Sequence, residues 1–169
     1  MKWRLHYFIC ILMVPVLLLT YVKIHKTPHA IEIKQLFMKH QEEFHEVVYD
    51  LLEIAYKNDS ESGTWIITEG SARGSFVDQI GSLKYYGTGP IYPREEYENI
   101  HSAVVDLFSS LHLCAIGFDR WSVQIVISES YFGNCRLIYF PYNLPFDANF
   151  QIKEKIHIFE GWYAVVTDD

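Results

Sequence analysis

The chain has no acidic residue before Glu32, and its first 26 residues carry only the basic Lys2, Arg4, Lys23 and Lys26. Residues 5–22 hold no Lys, Arg, Asp or Glu at all, which excludes an ordinary solvated segment there. This apolar run is 18 residues long. As a helix rising about 1.5 Å per residue it would span roughly 27 Å, against a bilayer core about 30 Å thick. Trp3, Tyr7 and Tyr21 fall near its ends, where amphipathic rings favour the headgroups. Arg4 and Lys23 can snorkel across the remaining gap. Pro15 is tolerable inside such a helix, because neighbouring groups can satisfy the freed carbonyl.

Small residues are missing where a signal peptidase would need them. Residues 20–25 are mostly bulky, and Pro28-His29-Ala30 is a poor cleavage site. No cysteine ends the run, so a lipoprotein anchor is excluded. The expectation is an uncleaved single-pass anchor, residues 1–26, in contact with the bilayer through residues 5–22. Positive charges flank the run almost evenly. A short charged leader before an apolar core is nevertheless how an export signal begins. The amino terminus is therefore expected inside and the remainder outside, an extracytoplasmic domain.

Cysteine is scarce: Cys10, Cys114 and Cys135, with no CxxC pair. A zinc ribbon and a thioredoxin-like redox site are excluded on that ground. His45-Glu46-Val47-Val48-Tyr49 falls short of the zinc helix H-E-x-x-H, because Tyr49 stands where the second histidine should share the metal. His40 does not replace it, being about 140° around the helix from His45. The pattern reads as an amphipathic helix with a polar-face histidine. His101, His112 and His157 are scattered along the chain. Gly70-Ser71-Ala72-Arg73-Gly74-Ser75 lacks the spacing and the lysine of a phosphate loop, and is not a nucleophile elbow. It reads as a turn, with backbone amides that could hold an anion as the alternative. Asn58-Asp59-Ser60 fits a glycosylation sequon, which matters only in a eukaryotic secretory pathway. No catalytic residue, metal ligand or cofactor is assigned.

Basic residues are few: 14 against 21 acids. Setting aside the four in residues 1–26 leaves 10 against 21, a formal charge of −11 for residues 27–169. Such a surface is repelled by phosphate backbones, which excludes nucleic acid as partner. Those 143 residues are the size of one domain with its own core, and no internal repeat divides them.

Residues 28–57 read as one long helix. Ile33, Leu36, Phe37, His40, Phe44, Val47, Val48, Leu51 and Ala55 recur at three- and four-residue spacing, with Lys39, Glu42, Glu43 and Glu46 largely opposite. Residues 64–68 read as a strand. Glycine-rich 69–92 reads as the least regular part, with a strand near 83–86. Residues 93–111 read as a second helix, with Pro93 at its start and Tyr97, Ile100, Val104, Leu107, Phe108 and Leu111 as its stripe. From Leu113 the period changes to two. Strands are expected at 113–118, 121–128, 131–132 with 135–140, 155–159 and 162–166. Gly133-Asn134 and Glu160-Gly161 are the hairpin turns this implies. The fold class is α+β: an amino-terminal transmembrane helix, a long helix, a second helix and a mainly antiparallel β-sheet arranged as a meander.

That register bears on the thiols. With turns at Asp119-Arg120 and Gly133-Asn134, Cys114 lies opposite Ile125 and Cys135 opposite Phe132, seven residues further along the shared middle strand, roughly 23 Å away. A disulfide needs Cα atoms within about 7 Å. Cys114 and Cys135 are expected to be free.

Aromatic residues make up 16% of the chain, enough to supply a contact surface as well as a core. The run Tyr139-Phe140-Pro141-Tyr142-Asn143-Leu144-Pro145-Phe146 holds two prolines, which make it stiff and hard to bury. Tyr139, Phe140, Tyr142 and Phe146, with Tyr85 and Tyr86, form the expected interaction patch. The leading expectation is a membrane-anchored protein-binding module with an acidic, aromatic-rich domain, of the kind used in envelope assembly or toxin neutralisation. Two alternatives stand beside it: a hydrolase whose serine, histidine and acid meet through the fold, and a purely structural membrane protein.

Overall fold

The computed structural model describes residues 13–15, 28–57, 64–70, 75–87, 94–130, 133–141 and 151–168. In chain order these hold α1 (Ala30–Lys39), α2 (Gln41–Lys57), β1 (Trp65–Thr68), β2 (Ser75–Ile80), β3 (Leu83–Gly87), α3 (Arg94–Leu111), β4 (Ala115–Phe118), β5 (Val123–Ser130), β6 (Gly133–Tyr139), β7 (Ile152–Phe159) and β8 (Trp162–Thr167). The fold is α+β, as expected, with every neighbouring strand pair antiparallel. Of the expected anchor only residues 13–15 are described, and they are helical. Trp3, Arg4, Tyr7, Tyr21 and Lys23 lie outside the described residues. Among the described residues no helix is long and apolar enough to cross a membrane.

The long helix expected over 28–57 is two helices. His40 leaves the helical conformation (φ −122°, ψ 31°), and its N–H still bonds the carbonyls of Leu36 and Phe37. The gain is aromatic packing. Phe37 and Phe44 share one helical face, but seven residues of straight helix would separate them by about 10 Å of rise. The break stacks their rings at 5.9 Å and lets both reach Trp162. The first turn of α1 is capped from afar: Glu154 on β7 accepts the N–H of Ala30 at 2.9 Å, and Glu32 accepts that of His29. These bonds satisfy donors that a helix start leaves open.

The sheet order is β2-β3-β1-β4-β5-β6-β8-β7. Only β4-β5-β6 is a meander, because β1 inserts between β3 and β4, and β8 between β6 and β7. The glycine-rich stretch expected to be irregular holds the β2–β3 hairpin, closed by Gly81 at φ 60°. Asp119 changes the next turn. Its carboxylate accepts the N–H of Trp121 and of Ser122, so residues 119–122 form the loop and Phe118 pairs with Val123, not Trp121. Gly133-Asn134 is not a turn either. Gly133 pairs with Ser130, and Asn134 pairs with both Glu129 and Thr167, so strand pairing on two sides extends β6 through them. Glu160-Gly161 does close β7–β8, both at positive φ, 34° and 84°.

Cys114 and Cys135 form no disulfide, for a different reason than the expected register implied. Cys114 flanks Val126 and Ile127 from one side of β5, while Cys135 pairs with Ser128 from the other. Two strand spacings put them about 10 Å apart, still beyond a disulfide's reach.

The helices cover one face of the sheet. α1 packs on β6, β8 and β7, α2 on β4 and β5, and α3 on α2. Tyr97 of α3 also meets Tyr85 of β3 edge-on at 4.5 Å. Beneath them Ile67, Leu83, Ile116, Ile125, Leu137 and Ala164 are fully buried. The sheet has two distinct ends. At the near end Pro28 leads into α1, its carbonyl accepting the thiol of Cys135 at 3.2 Å. At the far end lie the 119–122 turn, the 160–161 turn and the close of β6. From Cys135 to Pro141 is six residues, about 20 Å of strand.

Candidate binding surface

Among the described residues, the expected aromatic patch is not brought together on one surface. Tyr85 and Tyr139 are buried, 2% and 6% exposed. Each faces the helices, Tyr85 against Tyr97 and Tyr139 against Tyr49 and Trp162. Tyr86 and Phe140 are half-buried, Phe140 lying edge-on to Tyr163. Successive strand residues point to opposite faces, so Tyr86 projects away from Tyr85. β3 and β6 are also four strand spacings apart, about 19 Å. Tyr142 and Phe146 lie outside the described residues, as do Asn58-Asp59-Ser60 and residues 71–74 of the glycine–serine loop.

Another set of aromatic residues is exposed. Tyr49 is 50%, Tyr56 67% and Trp121 45% accessible. Tyr49 and Tyr56 sit seven residues apart on α2, outside its buried stripe, and Leu52 lies between them on the same side. Trp121 projects from the 119–122 turn, which the Asp119 carboxylate holds in shape. The guanidinium of Arg120 lies 4.3 Å above its ring, a favourable cation–π arrangement. A groove of about 330 Å³ runs between these elements, lined by Leu52, Glu53, Tyr56, Lys57, Arg120 and Pro141. Lys57 is paired with Glu53 at 2.6 Å. Tyr139 donates to the hydroxyl of Tyr49 at 3.4 Å. Burial, then this bond, push the Tyr139 phenol well above its usual range. The surface thus has a floor of hydrogen-bonded tyrosines and a rim of turn and helix, at the far end. Sequence reasoning missed all three: Tyr49 and Tyr56 could have been found as aromatic residues off the apolar stripe of 28–57, whereas Trp121 read as the start of a strand.

His45 departs from the polar face expected of it. Its ring stacks on Trp162 and also meets Phe37, Tyr49 and Phe159. Its Nε2 is buried with no hydrogen-bond partner among the described residues. Burial lowers its pKa, and the Glu160 carboxylate opposes that in part. The outer side of α2 carries Glu42, Glu43, Glu46 and Glu53. Asp50 feels them: burial first, then Glu46 and Glu53, raise its pKa. A groove of about 450 Å³ between α2 and α3 is lined by Glu43, Glu46 and Asp106 with Ser102 and Ser110.

Among the described residues no three histidines, cysteines or carboxylates stand together as a metal site. Among the described residues, the close contacts of histidine with carboxylate are His29 with Glu154 and His40 with Glu43. His101 lies between α3 and the Gly81 turn, His112 ends α3 at φ 51°, and His157 lies tilted against Tyr163 from the edge strand β7. They do not converge. Set against family models, characterised proteins and solved structures, the chain matches none.

Proposed function

We propose that the chain is a membrane-tethered protein-binding module. In this reading residues 5–22 span the bilayer, with the amino terminus inside, and residues 27–169 form a single extracytoplasmic domain. Its partner is a protein met by Tyr49, Tyr56, Trp121 and Arg120. The observation that carries the reading is where these residues stand: at the end of the sheet opposite Pro28, the point where the amino-terminal segment joins. A tether at one end leaves the other free to meet a partner. Tyrosine, tryptophan and arginine are also the residues that dominate binding energy at protein interfaces. The acids along α2 add selectivity, because they repel acidic partners and steer basic ones.

The test is site-specific photo-crosslinking in intact cells. A photoreactive residue at Tyr56 should give one dominant adduct, lost when Trp121→Ala is added. The same group at Tyr163, on the other sheet face, should give none. Equal adducts at both positions would refute the assignment. Protease access to a carboxy-terminal tag in intact and lysed cells tests the topology separately.

A further inference from the structure

Two large aliphatic side chains are left on the surface at the near end: Ile31, 50% exposed, and Ile152, 39%. Single exposed hydrophobics are ordinary. These two share a location. Ile31 follows Ala30, whose N–H is held by Glu154, and Ile152 precedes Glu154 by two residues on the same strand. Both therefore frame the point where Pro28 enters the fold, itself pinned by the Cys135 thiol.

The length of chain before that point limits where the near end can be. From Val22, at the close of the apolar run, to Pro28 is six peptide steps. Fully extended these reach about 20 Å. Each headgroup layer takes up about 5–8 Å of that. If residues 5–22 span the bilayer, the near end is held within one short helix length of the membrane surface.

We propose that the near end rests on the bilayer, with Ile31 and Ile152 inserted among the lipid headgroups and the Tyr49–Tyr56–Trp121 surface turned away from it. The occupant of this apolar patch is lipid. The inference rests on the tethered reading above. The seat is held by burial of apolar surface against the charge of the domain, since an acidic domain is repelled by anionic lipid. Salt screens that repulsion. The contact therefore survives, or tightens, as salt is raised.

The test uses the full chain in phosphatidylcholine vesicles that carry a headgroup-attached fluorescence quencher. An environment-sensitive dye is placed singly by Ile31→Cys or Ile152→Cys in a Cys10→Ser, Cys114→Ser background, with Tyr56→Cys as the far-end control. Cys135 is buried and stays unlabelled. Dyes at 31 and at 152 should lose most of their fluorescence and shift to the blue, while the dye at 56 should not. Co-flotation with the vesicles, with quenching at 31 and 152 no stronger than at 56, would overturn the seat and leave the tether standing. A chain that fails to co-float would overturn the tether and the seat together. Two label positions, both exposed, guard against a single variant that misfolds.

Discussion

The imidazole of His45 lies on the indole of Trp162, their centroids 5.5 Å apart and their planes 19° from parallel. An ionised imidazole in that place loses hydration that the rings do not replace, and Glu160 restores only part of the loss. The folded chain therefore holds the proton less tightly than the unfolded chain, in which His45 titrates near its ordinary 6.5. Above 6.5 neither state is protonated and the full stability is present. As pH falls through 6.5 towards the lowered folded value, the unfolded chain takes up the proton first and stability declines. Urea midpoints measured across that window should fall with pH. In His45→Phe the slope should flatten. An unchanged slope would mean that His45 is not the group responsible.

Trp162 is the ring on which α1, α2 and β6 meet: Phe37, Phe44, His45 and Tyr139 all contact it, and it is 1% exposed. Trp162→Ala should cost about 3–5 kcal/mol, the range for a large buried aromatic. Equilibrium denaturation measures it. A loss under 1 kcal/mol, on the order of an exposed substitution, would mean the cluster is not part of the cooperative core.

Gly161 accepts no side chain. It sits at φ 84°, and an added Cβ would lie 2.3 Å from the carbonyl oxygen of Phe140, whose N–H bonds back to Gly161 at 3.0 Å. The left-handed conformation alone costs an L-residue about 1–2 kcal/mol. Gly161→Ala should exceed that, because the Phe140 backbone just after β6 must also move. Thermal unfolding of the variant, compared with Gly81→Ala, separates the two costs. Gly81 has the same sign of φ but no contact closer than 3.7 Å.

Glu154 holds the start of α1 from across the fold. Its bond to the Ala30 N–H, then its bond to His29, keep its pKa below the usual carboxylate range. That stabilisation is complete above the unfolded value near 4.5 and is lost as pH falls through the lower folded value. Glu154→Ala should cost about 1 kcal/mol, the typical worth of a helix cap. It should speed amide exchange in the first turn of α1 while leaving α3 unchanged. Faster exchange in both helices would point to a global effect instead.

Tyr56→Ala and Trp121→Ala remove exposed rings. Each should change stability by less than about 0.5 kcal/mol, and Trp121→Ala should abolish the crosslink formed from a photoreactive residue at position 56. A large loss of stability from either would mean the ring is structural.

Much of this fold is local information, and the chain displays it openly. The stripe through Tyr97, Val104, Leu107 and Phe108 marks α3, because a 3.6-residue period buries one side of a helix. The alternation from Leu113 onward marks the carboxy-terminal strands, and Glu160-Gly161 marks their turn. The α+β class follows from the order of such segments. Other features depend on partners distant in sequence. The break at His40 repays itself only when Trp162, far along the chain, is there to receive Phe37 and Phe44. The insertion of β1 between β3 and β4, and of β8 between β6 and β7, is a choice among pairings that each strand's own pattern permits. Tyr85 and Tyr139 went inside because helices landed on them, and His45 because its own helix landed on Trp162; no local period records which helix covers which strand. Composition and short-range periodicity thus determined the kind of elements and their faces. Strand order, burial of individual rings and the surface left at the far end were decided by tertiary packing, where non-local contacts outweigh the small preferences of each segment.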